Sequence, residues 1–325
     1  MEILYIIGNG FDINIGMKTK YSDFYEYYKS IDSKSQQIQR LKDSISKSIE
    51  NWSDLELAFG KYTSQLNTIE EFDEVYDDII DNLCDYLTNE EENFDFSKVS
   101  QNKFLQYLHS PENSLPQEDL EEIISQKNDW RNEDWNIRIM SFNYTRTIEK
   151  IIKNESLPIF LSTHHSGKSI YLKSIHHIHG FTDKQTILGV NDISQIDKSD
   201  FHENEDIVEA LVKTKCNREL RHNVDKLFEK YISKAALICI FGSSLGDTDN
   251  YWWELIGNSV KDGTQLIIFK KGEAIKQRFG HKTVRSRKAL MKLFLDKTNL
   301  SDEEKKKAQN IIHIGVNTDM FDIKS

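Results

Sequence analysis

An α/β fold built on a parallel sheet is what this sequence predicts, and three observations predict it. The chain opens on a short apolar run stopped by glycines, Ile3-Leu4-Tyr5-Ile6-Ile7 ahead of Gly8-Asn9-Gly10. After Trp135 further runs of the same kind alternate with helical patterns. Between the two lies a long stretch whose apolar residues recur only at helical spacing. Strands that are apolar throughout, rather than on alternate residues, belong to a sheet covered on both faces. The predicted architecture is one α/β domain, residues 1–18 and 131–325, with a large all-helical insertion, residues 19–130, after its first strand.

The elements follow in order. Length, β-branching and the glycine stop make Ile3–Ile7 a buried strand. In the insertion, Phe24, Tyr27, Tyr28 and Ile31 share a helix face. So do Leu55, Ala58, Phe59 and Tyr62, and then Phe72, Val75, Tyr76, Ile79, Ile80 and Leu83. Ser53-x-x-Glu56 has the spacing of a capping box, and Pro111 and Pro116 bracket a loop. Strands are expected at 136–142, 169–178, 186–190, 235–241, 264–269 and 310–316. Helices are expected between them at 147–153, 207–231, 252–260 and 285–295.

Composition excludes several classes. No apolar run approaches the ~20 residues of a membrane-spanning helix, and no basic, apolar leader opens the chain. A cytoplasmic protein without membrane contact is expected. Cys84, Cys216 and Cys239 are few and widely spaced, so neither a disulfide framework nor a Cys-x-x-Cys zinc site is predicted. The net charge of −11 argues against general nucleic-acid binding. That charge is unevenly spread: residues 50–98 hold 15 acidic side chains against two lysines, while 270–292 hold nine basic ones against one glutamate. These are either solvated helix faces or complementary docking patches, the basic one also suiting a phosphate-bearing partner.

Four turns carry the candidate chemistry. Gly8-Asn9-Gly10-Phe11-Asp12 follows the first strand, where glycines let backbone amides approach a pyrophosphate or merely make a sharp turn. Position 13, where the dinucleotide fingerprint has its third glycine, holds Ile13. Phe142-Asn143-Tyr144-Thr145 ends the second sheet strand, where Asn143 either meets a ligand or caps the next helix. In His176-His177-Ile178-His179-Gly180 two histidines share a strand face without a third metal ligand at usable spacing, so no metal is expected. His179, just before the glycine, suits acid/base work or a sugar hydroxyl. Last comes Gly242-Ser243-Ser244-Leu245-Gly246-Asp247-Thr248-Asp249, small and hydroxylated at a strand-to-helix turn, fit for phosphate, ribose or helix capping. Ser162–Ser169 ends like a P-loop, but its first position is serine and a strand follows, so it is set aside.

Taken in chain order, these blocks carry a resemblance. Ile-Ile-Gly-Asn-Gly-Phe-Asp with Asn14–Phe24, then Trp52-Ser53-Asp54-Leu55-Glu56, Ser141–Thr145, His177–Gly180 with Leu188-Gly189, and Gly242-x-Ser244-Leu245-Gly246-x-x-Asp249 resemble the AbiH family of bacterial abortive-infection proteins. These blocks in turn look like a distant edition of the sirtuin-like layout, whose loops line one NAD pocket. The resemblance implies a Rossmann-like, sirtuin-like fold. It implies Asn143, His179 and Asp12 as catalytic residues. It also implies that NAD is held by Gly8, Asn9, Gly10, Phe11, Tyr144, Gly242, Ser243, Ser244 and Asp247, as substrate or ligand and not as a prosthetic group. Asp12 stands where the sirtuin-like loop has serine, and Thr145 where its second block has aspartate. The zinc module of sirtuin deacylases is missing, and zinc-less phage-defence members of that group hydrolyse NAD. The expected function is thus an NAD-hydrolysing anti-phage effector, with a non-catalytic nucleotide sensor or assembly module as the alternative. Possible partners are a phage trigger and further copies of the chain.

Overall fold

The computed structural model describes residues 1–164, 166–221, 223–272 and 275–324. His165 within Ser162–Ser169, and Glu273 within the basic 270–292 segment, lie outside the described residues. Seven strands form one sheet: β1 (Glu2–Ile7), β2 (Trp135–Ser141), β3 (Ile159–Thr163), β4 (Ser169–His177), β5 (Leu237–Phe241), β6 (Gln265–Lys270) and β7 (Ile312–Val316). Their spatial order is β3-β4-β2-β1-β5-β6-β7. All neighbours run parallel except β3, which pairs antiparallel with β4 at the edge. Numbered by appearance, the six parallel strands lie 3-2-1-4-5-6. The chain leaves β1 toward one side and later returns to its other side as β5. The boundary between β1 and β5 is therefore the topological switch point of the sheet, the place where open parallel sheets hold ligands.

Helices cover both faces, as the unbroken burial of β1 and β5 requires. Short α1 (Gly10–Ile15) follows β1 and ends at Gly16. The stretch to Trp130 holds α2 (Tyr21–Ser30), α3 (Gln36–Lys47), α4 (Leu55–Tyr62), α5 (Ile69–Asn93), α6 (Gln101–His109) and α7 (Gln117–Asp129), and no strand. Its two halves pack differently. Phe104 and Leu108 of α6 and Ile123 of α7 cover Tyr5, Ile7, Ile139 and Phe241 on one sheet face. The α2–α5 half builds a separate core that takes in Tyr144, Leu188, Val190 and Phe201.

Beyond β2 come α8 (Thr147–Ile151), α9 (Glu205–Leu211), α10 (Lys213–Glu219), α11 (Val224–Lys234), α12 (Asn250–Lys261), α13 (Gly280–Asp296) and α14 (Asp302–Ala308). Phe228, Trp253, Ile256 and Phe294 from this group bury Leu4, Ile6, Ile240 and Ile268 on the second sheet face. Among the described residues no helix is long and apolar enough to cross a membrane.

Four expectations change. Residues 186–190 are not a strand; Leu188 and Val190 are apolar because they fill the helical core, and only Val190 makes a bridge, to Val212. The predicted 207–231 helix is three helices, broken by extended Val212 and by left-handed Asn223. Strand β3 was missed, since Pro158 precedes it and only Ile159 is buried. The Ser53–Glu56 capping box does not form. Asp54 caps α4 instead, accepting from the Leu57 amide at 3.1 Å, and Glu56 is used elsewhere.

Candidate functional site

All four predicted turns lie at carboxyl ends of adjacent parallel strands. Gly8–Asp12 leaves β1, Asn143–Thr145 leaves β2, His179 follows β4, and Gly242–Asp249 leaves β5. Parallel register brings them together: Ile7 pairs with Ser141 and with Phe241, and Ser141 with His177.

The turns after β1 and β5 meet backbone to backbone. The Gly8 amide donates to Phe241 O and the Gly10 amide to Gly242 O, at 2.9 and 2.8 Å. A Cβ on Gly10 would stand 2.6 Å from Gly242 Cα. Gly242 itself has φ +73°, and a Cβ there would stand 2.6 Å from the Phe11 nitrogen. Glycine is thus required by contact between two loops. The Phe11 amide is also taken, by Gly8 O. The Phe11 ring is fully buried against Phe104, Phe241 and Phe321, so its side chain belongs to the core. Asn9 is engaged as well: its Nδ2 donates to Thr19 O, and its Oδ1 accepts from Thr19 Oγ1. The accessible rim of this pair of turns is Gly10, Gly242, Ser243 and exposed Ser244. Asp247 is exposed and pairs with Lys297.

Behind the rim lies a buried polar centre. Thr145 Oγ1 donates to Asp12 Oδ2 at 2.5 Å, and Thr147 donates to Thr145. Burial pushes the Asp12 carboxyl up to about 6, while the hydroxyls of Thr145 and Thr147 and the amide of Asn143 pull it back. Asp12 Oδ1 and Asn143 Oδ1 are both buried without a hydrogen-bond partner. Two orphaned acceptors on neighbouring strand ends are costly unless something donates to them. The backbone carbonyl of Asn143 is bonded to His177 Nδ1 at 2.7 Å, and Glu149 holds the other ring nitrogen at 3.0 Å.

His179 belongs to an adjoining cluster that sequence reasoning did not assemble. Lys213 Nζ donates to Glu56 Oε2 at 2.7 Å and to Asp249 Oδ1 at 2.8 Å. Thr248 Oγ1 and the Tyr144 hydroxyl also donate to Glu56, at 2.8 and 3.2 Å. His179 Nε2 stands 3.2 Å from Asp249 Oδ1, but not in hydrogen-bonding alignment. Burial alone would lower Lys213, yet Asp249 and Glu56 outweigh it and keep the ammonium above its ordinary value. Burial raises both carboxylates, Glu56 to about 7, and the charge of Asp54 adds to it. The imidazole of His179 is pushed well below its ordinary range by burial, then by Lys213 and His177. It is neutral near pH 7, a weak proton acceptor. A hollow of about 10 Å³, room for one water, lies against His179, Lys213, Asn217 and Asp249.

The site residues therefore fall into three groups: an accessible rim, a buried Asp12–Asn143–Thr145 centre, and a buried ionic cluster beside His179 and Tyr144. Among the described residues no group of three or more His, Cys, Asp or Glu is arranged to hold a metal ion. No curated protein matches the chain. A family model does, that of "Bacteriophage abortive infection AbiH", over residues 4–270. That span contains every turn described above, strands β2 to β6 and all but the start of β1. The chain belongs to the AbiH family.

Proposed function

We propose that this protein is an abortive-infection effector of phage defence that binds NAD at a Rossmann-like, sirtuin-like switch point and hydrolyses its nicotinamide–ribosyl bond. Family membership supports the defence role. The observation that carries the chemical reading is the contact between Asp12 and Thr145. These are two positions at which the chain departs from the sirtuin-like blocks, and they are each other's partner. A carboxylate is thus present beside Asn143, supplied from the first loop instead of the second.

The chemistry assigns each group a task. Asn143 Oδ1 and Asp12 Oδ1 hold a water between them. The bond from ribose C1′ to nicotinamide nitrogen breaks, its electron pair leaving with nicotinamide. The water oxygen bonds C1′, and its proton passes to Asp12, giving nicotinamide and ADP-ribose. With its carboxyl held near 6, Asp12 is a better base near neutrality than neutral His179. His179 and Tyr144 then position the wall of the site, and Ser243 and Ser244 face the phosphates. Exclusion of bulk solvent, which Asp12 and Asn143 already have, favours the charged transition state.

The test is nicotinamide release from NAD, with and without lysate of phage-infected cells. Asn143→Ala and Asp12→Asn each lower the wild-type rate by roughly a hundredfold or more. Wild-type release no greater than that of both variants, under either condition, defeats the proposal. The burial of Asp12 and Asn143 favours one alternative, a sensor that closes over intact NAD. Calorimetric binding of NAD with the ligand recovered unchanged would select it.

A further inference from the structure

Given a dinucleotide whose phosphates lie at Ser243 and Ser244, as proposed, we infer that Asp54 of the helical insertion binds the adenosine ribose. It thereby selects NAD over the 2′-phosphorylated form, NADP.

The observation that carries this is a small polar space in front of Gly246. A Cβ built on Gly246 would stand 3.5 Å from Asp54 Oδ2, 3.5 Å from Ser244 Oγ and 3.7 Å from Thr248 Oγ1. Three oxygens from two distant parts of the chain thus surround one point beside the accessible rim. Unlike Gly10 and Gly242, Gly246 is not demanded by the fold. Its backbone is extended, with φ −62° and ψ 155°, which any residue adopts, and all three contacts of the Cβ would be ordinary ones. Its carbonyl accepts from the Trp253 indole at 2.9 Å, which holds the peptide in place. Glycine here keeps a space open that a side chain would fill.

Asp54 is half-buried and caps α4 through Oδ1, which accepts from the Leu57 amide at 3.1 Å. Oδ2 is left to face the Gly246 space, and among the described residues it takes no hydrogen bond and enters no ion pair. The Thr248 hydroxyl spends its proton on Glu56, while the Ser244 hydroxyl is exposed and turns freely. The group a nucleotide carries next to its phosphate is ribose. One ribose hydroxyl donates to Asp54 Oδ2, a charge-assisted bond, and its neighbour bonds Ser244 Oγ. A 2′-phosphate would instead bring about two negative charges against the same carboxylate.

The experiment is calorimetric titration of NAD, and separately of NADP, into the full chain carrying Asn143→Ala, which stops turnover at the far end of the ligand. NAD should bind at least roughly tenfold more tightly than NADP. Adding Asp54→Asn keeps a cap for α4, so the melting temperature should hold. It should nevertheless weaken NAD roughly tenfold or more and bring the two affinities together. Gly246→Ala, which adds no charge, should also melt unchanged and weaken NAD by filling the space. The two substitutions lie on different elements, so if one lowers stability the other decides. NAD bound equally by parent and variants, or indifference to the 2′-phosphate, overturns the role of Asp54 while nucleotide binding stands. Selectivity that holds in a protein releasing no nicotinamide supports that role and defeats the hydrolytic reading alone. Binding of neither dinucleotide overturns both.

Discussion

Lys213 and Glu56 form a buried ion pair, 2.7 Å between Nζ and Oε2, joining the start of α10 to the first turn of α4. Asp249 takes a second proton of the same ammonium at 2.8 Å, so three separate parts of the chain meet at one lysine. Removing that lysine leaves two carboxylates buried with no cation, whereas removing a carboxylate leaves Lys213 with one partner. Lys213→Met should therefore cost about 3–5 kcal/mol, more than Glu56→Gln. Chemical denaturation of both variants at pH 7 measures the difference, and equal losses would show that the cluster does not depend on its cation.

Asp12 makes stability depend on pH in a stated direction. Its carboxyl is raised from 3.8 to about 6 in the folded protein, chiefly by burial. A raised carboxyl favours folding while protonated, so that contribution is fully present below about pH 4 and is lost as pH rises through about 6. Asp12→Asn keeps a neutral acceptor for Thr145 and has no such loss. The stability of Asp12→Asn relative to wild type should accordingly improve by about 2–3 kcal/mol between pH 4 and pH 7. Melting curves of both proteins across that interval check it. A difference independent of pH would mean that Asp12 stays ionised throughout.

The parallel strands and their turns were legible because these segments are rich in apolar, β-branched residues and end in small or polar ones, whereas β3, with only Ile159 buried, was not. The ionic cluster was not. Glu56 carries the spacing of a helix cap, and Lys213 falls inside what reads as one amphipathic helix, so both resemble surface charges. The apolar neighbours Leu211 and Val212 were the one local hint that Lys213 is buried. Asp247 and Asp249 are equivalent in sequence, and only the fold turns one to Lys297 and the other to Lys213. The glycines mislead for a related reason: Gly10 and Gly242, which meet loop to loop, lie far apart in the chain, and spacing along either loop cannot reveal the contact.

That contact makes its own prediction. A Cβ on Gly10 has backbone on every close side, Gly242 Cα at 2.6 Å and Gly242 O at 2.8 Å. No flexible side chain can yield, so one loop must move. Gly10→Ala should lower stability by about 1–3 kcal/mol already without NAD, and by at least as much with it. Thermal melts in both conditions test this. A variant as stable as wild type that loses only NAD affinity would instead make Gly10 a ligand contact.

The carboxyl-terminal segment supports the same loops from beneath. Phe321 is fully buried and meets Phe11 edge-on at 5.3 Å and Phe241 at 4.9 Å between ring centroids. Those two rings flank the Gly8–Gly10 and Gly242 turns, so Phe321 fixes the height at which both loops stand above the sheet. It lies beyond the family match, which ends at residue 270, yet it also stacks on Phe104 at 5.5 Å. Phe321→Ala would open a cavity where the rings of Tyr5, Phe11, Phe104, Tyr107 and Phe241 converge, costing about 3–5 kcal/mol. Phe321→Leu, which keeps most of the volume, should cost less than half as much. Urea midpoints of the pair decide the point: equal losses would mean that ring geometry, and not filled volume, holds the loops in place.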